Sequence, residues 1–173
     1  GFVLSNGSLS AKTKGEGDIR QAIIEADMLD CVVTLPDKLF YNTGIPACLW
    51  FVVKNKADRK FRDRRGETLF IDCRRMGEMI SRTQRELSDE LLEQISTTYM
   101  AWRGDEDCEQ EYEDKAGFCK ATNIDGIKER DFIITPGRYV GAPPIEDDGE
   151  PFEEKMTKLT ADLKKHFAKS RLL

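Results

Sequence analysis

The sequence predicts an α/β fold with a partly antiparallel sheet. Helix-like and strand-like segments both occur along the chain, and two of the strands, residues 29–35 and 47–53, are unbroken apolar runs. Neither run alternates polar with apolar residues, so both strands should be covered on both faces. The link between them is too short to hold a crossover helix comfortably, which predicts an antiparallel pair.

The remaining elements follow from local pattern. Residues 2–4 form a short apolar run that ends in the turn cluster of residues 5–8. Residues 68–73 predict a further strand, and residues 89–102 predict a helix. Another helix is expected after Asp18, because apolar residues recur there at helical spacing: Ile19, Ala22, Ile23 and Ala26.

Composition bounds the class of protein. With 173 residues and 39% hydrophobic residues, the chain is long enough and apolar enough for a folded domain. Its longest apolar run is far too short to cross a bilayer, so no membrane association is expected. The formal net charge of −5 argues against nucleic-acid binding by bulk electrostatics, and any basic surface must be local.

The cysteines indicate a cytoplasmic protein with reduced thiols. Their number is odd and no Cys-x-x-Cys pair occurs. A metal site is disfavoured because the single histidine, His166, lies in a charged C-terminal helix with no cysteine near it in sequence. We expect buried, unpaired thiols at Cys31, Cys48, Cys73, Cys108 and Cys119.

The loop of residues 35–46 is the most informative segment. It places two aromatic residues, Phe40 and Tyr41, at the edge of the sheet, where α/β proteins build their sites. An aromatic ring there could stack on a planar ligand such as a nucleobase. Periodicity alone favours the alternative, in which both rings pack under the sheet.

The segment of residues 54–65 is strongly basic and connects two strands. Its cations could lie along a phosphate backbone, or the segment could be an ordinary solvated loop, and the sequence leaves both open. The candidate DNA-backbone residues are Lys54, Lys56, Arg59, Lys60, Arg62, Arg64 and Arg65.

A helix near the end of the chain carries an apolar stripe. Such a stripe packs on its own domain or on a partner, and acidic neighbours make membrane binding a poor interpretation. The candidate partner-binding residues are Phe152, Met156, Leu159, Leu163 and Phe167.

No catalytic centre is visible in the sequence. It contains no glycine-rich strand-to-helix turn, no phosphate-binding loop and no Cys/His or Ser/His arrangement at usable spacing. Aspartates 30, 72 and 125 have no nucleophile paired with them, so we assign them no catalytic role.

Five blocks of sequence together resemble one family. In chain order they are Phe2-Val3-Leu4-Ser5-Asn6-Gly7-Ser8-Leu9; Gly17-Asp18-Ile19-Arg20; Leu35-Pro36 through Phe40 with Thr43-Gly44-Ile45-Pro46; Leu69-Phe70-Ile71-Asp72; and Pro136-Gly137-Arg138-Tyr139-Val140-Gly141. Together they resemble the modification (methyltransferase) subunit of type I restriction-modification systems, a family of adenine-N6 DNA methyltransferases.

The resemblance implies the C-terminal part of a Rossmann-like, S-adenosylmethionine-dependent methyltransferase sheet. Residues 2–4 would be the fifth strand, 29–35 the sixth and 47–53 the reversed seventh, giving an antiparallel hairpin at one edge, followed by a C-terminal helix. In this family an aromatic residue of the Leu-Pro-x-x-Leu-Phe loop stacks on the flipped target adenine. That role falls on Phe40, with Tyr41 beside it, and it reverses the preference drawn from periodicity.

The resemblance also implies what this chain lacks. The family's S-adenosylmethionine loop and Asn-Pro-Pro-Phe motif normally precede the strand at Phe2, and neither occurs in this sequence. Residues 1–143 would be the C-terminal portion of the methyltransferase domain, and residues 144–173 a linker and the start of a helical extension. We expect S-adenosylmethionine to be the cofactor of the complete enzyme and not to bind this chain alone.

The partners implied are DNA, the type I specificity subunit and a second modification subunit. Two alternatives stay open. The first is a non-catalytic interaction module, a remnant or split subunit that docks on a specificity subunit. The second is an unrelated α/β nucleotide-binding domain, which lacks a visible phosphate cradle.

Overall fold

A computed structural model describes residues 1–142 and 152–170 of the chain. They belong to two compact units, Gly1–Pro143 and Pro144–Leu173. All the strands among the described residues lie in the first unit, whereas the described part of the second is one helix. No helix in the described ranges is long and apolar enough to span a membrane.

The first unit is built on a five-stranded sheet with the order β1-β3-β2-β4-β7. Strand β3 is antiparallel to β1 and β2, β4 is parallel to β2, and β7 is antiparallel to β4. A short separate hairpin, β5–β6, follows β4. The strands are β1 Phe2–Ser5, β2 Leu29–Thr34, β3 Ala47–Val52, β4 Glu67–Asp72, β5 Glu78–Met79, β6 Arg85–Glu86 and β7 Cys119–Asn123.

The antiparallel pair predicted from the short link is confirmed, since β2 and β3 pair from Leu29↔Val52 to Thr34↔Cys48. Its expected position at an edge is wrong. β1 bonds to the free side of β3, with Phe2 opposite Trp50, so the hairpin is flanked by β1 on one side and by β4 on the other. The reversed strand therefore lies inside the sheet.

Three helices accompany the sheet: α1 Glu16–Glu25, α2 Asp89–Arg103 and α3 Ile124–Lys128. Helix α1 begins two residues before the predicted cap, so Asp18 lies in its first turn, where a carboxylate faces the positive end of the helix dipole. Helix α2 is capped by Ser88, whose side chain accepts a bond from the Leu91 N–H. It ends at Gly104, which adopts φ 70°.

Apolar side chains pack on both faces of the sheet. One core contains Ile24 of α1 and Ile127 of α3 against alternate strand residues, and the other contains Trp102 of α2. All six residues of β2 are buried, which confirms that this strand is covered on both faces. Strand β3 is covered less completely, because Leu49, Phe51 and Val52 are partly exposed.

The thiols of the first unit are unpaired. Four of the five cysteines are buried as expected, and Cys108 is partly exposed. Burial raises the pKa of Cys31, and it raises that of Cys73 to about 12. These two thiols are therefore neutral at physiological pH.

Candidate functional site

The loop between β2 and β3 forms a turn at the carboxyl end of β2. The Thr43 N–H donates to the Phe40 carbonyl at 3.4 Å, which closes a tight turn around Tyr41. Phe40 is 43% exposed and Tyr41 91% exposed. The alternative that both rings pack under the sheet is therefore wrong, and both aromatic side chains are available to a ligand.

The hairpin β5–β6 holds this loop in place. The Arg85 N–H donates to the Lys38 carbonyl at 2.9 Å, and the Gln84 side-chain amide donates to the Leu39 carbonyl at 3.3 Å. Arg85 also forms an ion pair with Asp37 at 3.4 Å. These contacts fix the backbone immediately before Phe40, so the ring projects from an ordered support.

A second loop lies at the same edge of the sheet. Residues Asn6–Leu9 form a 3₁₀ turn after β1, and Ser5 pairs with Ala47 at the start of β3, next to the Phe40 loop. The Ser8 hydroxyl donates to the Ser5 carbonyl at 2.8 Å. Two blocks that are separate in sequence thus meet at one edge.

Arg20, in the block Gly17-Asp18-Ile19-Arg20, has a structural role. It is buried, and its guanidinium donates to the carbonyls of Ser8, Ala11 and Phe132 at 3.1, 2.9 and 2.7 Å. Desolvation lowers the pKa of this guanidinium, although Glu16 works in the opposite direction. Arg20 therefore joins the 3₁₀ turn to the chain around Phe132 and acts as a structural clamp.

The end of β4 brings two further blocks together. The Asp72 carboxylate accepts bonds from Thr34 at 3.0 Å and from the Arg74 guanidinium at 2.8 and 2.6 Å. Burial works to raise the pKa of Asp72, but the hydrogen bonds from Arg74 and Thr34 outweigh it and hold the pKa below its ordinary value. Gly137 lies directly against this pair.

The basic segment lies at the opposite end of the sheet from Phe40. It follows β3, whose last residue pairs with Leu29 at the start of β2, whereas the Phe40 loop follows the end of β2. β2 has six residues, so the two ends are roughly 17 Å apart at about 3.3 Å per residue. The structure therefore does not bring the two candidate DNA-binding features together.

Two of the basic residues are internal, and the expectation that they contact DNA is wrong. Lys56 is buried and donates to Asp27 at 2.7 Å and to the Glu67 carbonyl at 2.5 Å. Arg64 is buried against Asp30 at 3.2 Å. Paired charges without solvent access cannot reach a phosphate.

The other cations of the segment are on the surface. Arg62 pairs with Glu67 at 2.8 Å, and Arg65 pairs with Asp63 at 2.6 Å. The remaining three are exposed, and no side-chain ion pair involves them in the described part of the chain: Lys54, Arg59 and Lys60. Contact of the exposed cations with DNA stays a prediction.

The apolar stripe lies on helix α4, Phe152–Ser170. The four stripe residues with described side chains are 46–61% exposed and recur at helical spacing: Met156, Leu159, Leu163 and Phe167. The side chain of Phe152 and residues 143–151 and 171–173 lie outside the described residues. Partner binding by this stripe stays a prediction.

Three arginines on segments near the Phe40 loop were not among the site residues predicted from the sequence. Arg74 and Arg75 follow β4, and Arg82 lies in the β5–β6 hairpin, where its carbonyl accepts a bond from the Lys38 ammonium at 3.3 Å. Their signal in the sequence is weak, because they lie outside the densely basic segment of residues 54–65. No group of three or more possible metal-ligating side chains occurs among the described residues.

The mixed α/β sheet of the first unit has the fold of solved type I methyltransferase subunits. The crystal structure of a type I restriction-modification system methyltransferase subunit from Streptococcus thermophilus superposes with a TM-score of 0.66. The match has 28% sequence identity and covers 81% of this chain and 26% of that one.

This chain belongs to the family described as N-6 DNA Methylase, which matches residues 1–148. The chain is 49% identical over 169 residues, 98% of its length, to the type I restriction enzyme HindI methylase subunit of Haemophilus influenzae. It is 42% identical over 95% of its length to the MjaIX methylase subunit of Methanocaldococcus jannaschii. It spans 36% and 28% of the lengths of these relatives. The family is S-adenosylmethionine-dependent.

Proposed function

We propose that this chain supplies the target-base loop of a type I DNA methyltransferase that transfers a methyl group from S-adenosylmethionine to adenine N6. In this proposal the Phe40 ring stacks on the adenine flipped out of the duplex, and Tyr41 borders the same position. The observation that carries the proposal is an exposed aromatic ring on a loop that hydrogen bonds fix to the β5–β6 hairpin.

The geometry suits a stacking platform. Unpairing and unstacking a base costs a few kcal/mol of free energy, and stacking the base on an aromatic side chain offsets about 1–3 kcal/mol of that cost. The stabilisation from stacking is largest when the ring is already exposed and its backbone already ordered, because little conformational entropy is then lost on binding. Phe40 meets both conditions, since it is 43% exposed and the carbonyls of the two residues before it are hydrogen bonded.

In this proposal, the chain carries the target-base loop, and other parts of the complete enzyme bind the cofactor. The chain has no glycine-rich loop and no Asn-Pro-Pro-Phe motif, so we infer that the cofactor and the adenine amino group are bound elsewhere in the complete enzyme. The chain alone is then inactive. The proposed partners of the complete enzyme are DNA, a specificity subunit and a second modification subunit.

The test is Phe40→Ala in the complete methyltransferase, with 2-aminopurine at the target adenine. Loss of a stack worth about 1–3 kcal/mol should lower the methylation rate about 5- to 150-fold. It should also lower the fluorescence of the extruded base. Phe40→Tyr keeps an aromatic face and should retain most of the activity, and Tyr41→Ala shows whether its neighbour shares the role. Unchanged methylation and fluorescence in Phe40→Ala would sink the proposal.

A second candidate is a non-catalytic interaction module, and the exposed apolar stripe of α4 favours it. Apolar side chains at helical spacing suit docking into a groove of another protein. The test is capture of the chain by a specificity subunit, comparing wild type with Leu159→Asp/Leu163→Asp. The control is Ala161→Asp/Lys164→Asp, two exposed positions on the same helix that face away from the stripe. Loss of capture in the first variant alone is expected, and equal capture by both variants would count against it.

A further inference from the structure

A cleft of about 460 Å³ lies at the carboxyl end of β4, and the proposed function does not use it. Its wall is the Asp72–Arg74 ion pair together with Arg75. Its remaining lining is small: Gly117, Gly137, Gly141 and Ala142.

Gly137 makes room for the Arg74 guanidinium. A Cβ atom on Gly137 would lie 2.0 Å from Arg74 Nη2 and 3.0 Å from Asp72 Oδ2, so a larger residue would displace the ion pair. Gly117 adopts φ 78° and its N–H donates to the Val140 carbonyl at 2.8 Å. The cleft is thus a shaped feature of the backbone, with a guanidinium held in one orientation.

Several cations lie near the cleft, although the whole chain carries a net charge of −5. Asp72 neutralises Arg74, but Arg75 is exposed, and its guanidinium forms no side-chain hydrogen bond or ion pair within the described part of the chain. Lys115, two residues before Gly117, and Arg138, directly after Gly137, are also exposed. A phosphate group can approach the backbone at the glycines of the cleft, because no side chain blocks it there, and the nearby cations would attract it.

The cleft lies on the same edge of the sheet as Phe40. Thr34, the last residue of β2, is paired in register with Asp72, the last residue of β4, and its hydroxyl donates to that carboxylate. Neighbouring strands are about 4.8 Å apart, so the cleft and the start of the Phe40 loop are one strand apart. A nucleic-acid strand that presents a base at Phe40 would carry its backbone along this edge.

We propose that this cleft binds a backbone phosphate of the DNA strand, with Arg75 as its main contact and Arg74 oriented by Asp72. The inference rests on the proposed function, because it takes the ligand at Phe40 to be DNA. A free phosphate ion offers the same chemistry, so the test separates the two sources.

The experiment measures binding of the 173-residue chain to a fluorescent duplex by anisotropy at several salt concentrations. Removing one phosphate contact reduces the slope of log affinity against log salt by about 1. We expect Arg75→Gln to show that change and to weaken binding about 3- to 10-fold at moderate salt. Lys115→Gln and Lys120→Gln are a matched pair of exposed lysines, near the cleft and on β7 respectively, and only the first should weaken binding.

Three results would overturn the inference. Arg75→Gln could bind like wild type while Arg59→Gln weakens binding, which would move the phosphate contact to the basic segment. Inorganic phosphate at low millimolar concentration could bind wild type and not Arg75→Gln while leaving the duplex bound, which would identify a free-anion site. Wild type could bind no DNA at all.

Testing both variants in the complete methyltransferase, with 2-aminopurine at the target adenine, separates this inference from the proposed function. If Phe40→Ala abolishes the fluorescence of the extruded base while Arg75→Gln binds like wild type, the phosphate site in the cleft is refuted and the role of Phe40 is supported. If Arg75→Gln weakens binding while Phe40→Ala changes no fluorescence, the phosphate site in the cleft is supported and the role of Phe40 is refuted.

Discussion

The Tyr99 hydroxyl of α2 donates a hydrogen bond of 2.6 Å to the Asp30 carboxylate of β2. Asp30 is 1% exposed, and its other oxygen accepts from the buried Arg64 at 3.2 Å. Burial first, and then the bond to Asp30, raise the pKa of Tyr99 well above its ordinary value. A helix, a strand and a loop are therefore joined at one buried carboxylate.

Removing Arg64 should destabilise the fold strongly. Arg64→Ala leaves Asp30 buried without its cation, and breaking such a pair costs about 3–5 kcal/mol. Urea denaturation of the 173-residue chain measures the free energy of unfolding. The control is Arg65→Ala, whose pair with Asp63 is exposed and should contribute about 1 kcal/mol or less. Equal losses in the two variants would contradict this reading of Asp30.

Asp72 should make stability depend on acid pH. Because its folded pKa is lowered, its contribution is present above the ordinary value near 3.9 and is lost as pH falls through the folded pKa. Asp72→Asn should cost about 1.5 kcal/mol at pH 7, toward the low end for bonds to a charged group because Arg74 is half exposed. Denaturation curves from pH 7 to pH 2 check this. A difference between wild type and variant that stays constant over that range would refute it.

Tyr139 should make the stability of the fold depend on alkaline pH. Its hydroxyl donates to the Ile133 carbonyl at 2.5 Å, its ring stacks on Phe70 with centroids 3.9 Å apart, and burial raises its pKa to about 12. A raised pKa contributes stability that is complete below the ordinary value near 10 and is lost as pH rises through the folded value.

Tyr139→Phe keeps the ring stack and should cost about 1 kcal/mol at neutral pH through the lost hydrogen bond. The gap between wild type and variant should shrink from pH 10 to pH 12, where wild type alone loses the contribution of this hydroxyl. Thermal denaturation across that range is the measurement. A gap that widens would show the opposite shift.

Gly77 should control the support of the Phe40 loop. It adopts φ 79°, and a Cβ atom there would lie 2.4 Å from the Glu86 carbonyl oxygen in the facing strand β6. Gly77→Ala should therefore open the β5–β6 hairpin and speed amide exchange at Arg85, whose N–H holds Lys38.

Gly66→Ala is the matched control, because Gly66 adopts φ 76° with nothing within 4 Å of its Cβ position. Both variants carry the cost of a left-handed alanine, roughly 1 kcal/mol, but only the first adds a backbone clash. Equal exchange at Arg85 in the two variants would show that the hairpin does not depend on this close approach.

Local periodicity was enough for the elements that carry their own pattern. Strands β2, β3 and β4 and helix α2 are apolar runs or stripes long enough to show a period. The hairpin β5–β6 has two residues in each strand and the edge strand β7 has a mixed sequence, so neither shows a pattern. The short link between β2 and β3 also predicted their antiparallel pairing. The insertion of β3 beside β1 was not predicted, because it depends on a long-range pairing.

Charge composition was a poor guide to the basic segment. Lys56 and Arg64 look like their exposed neighbours in the sequence, and only their pairing with Asp27 and Asp30 shows that they are internal. The place of Phe40 at the sheet edge was predicted from the loop, and its stacking role from family resemblance. The arginines near it escaped notice because Arg74 and Gly137 meet only in the folded chain.

The position of β3 between β1 and β2 also has a consequence for the order of folding. Thr34 pairs with Cys48 across a single loop, whereas Phe2 must find Trp50 across α1 and the whole β2–β3 hairpin. Closing the shorter loop loses less chain entropy, so the hairpin should form early and β1 should join a surface that already exists. Strand β1 should then gain protection after the β2–β3 hairpin during refolding and lose it before the hairpin does.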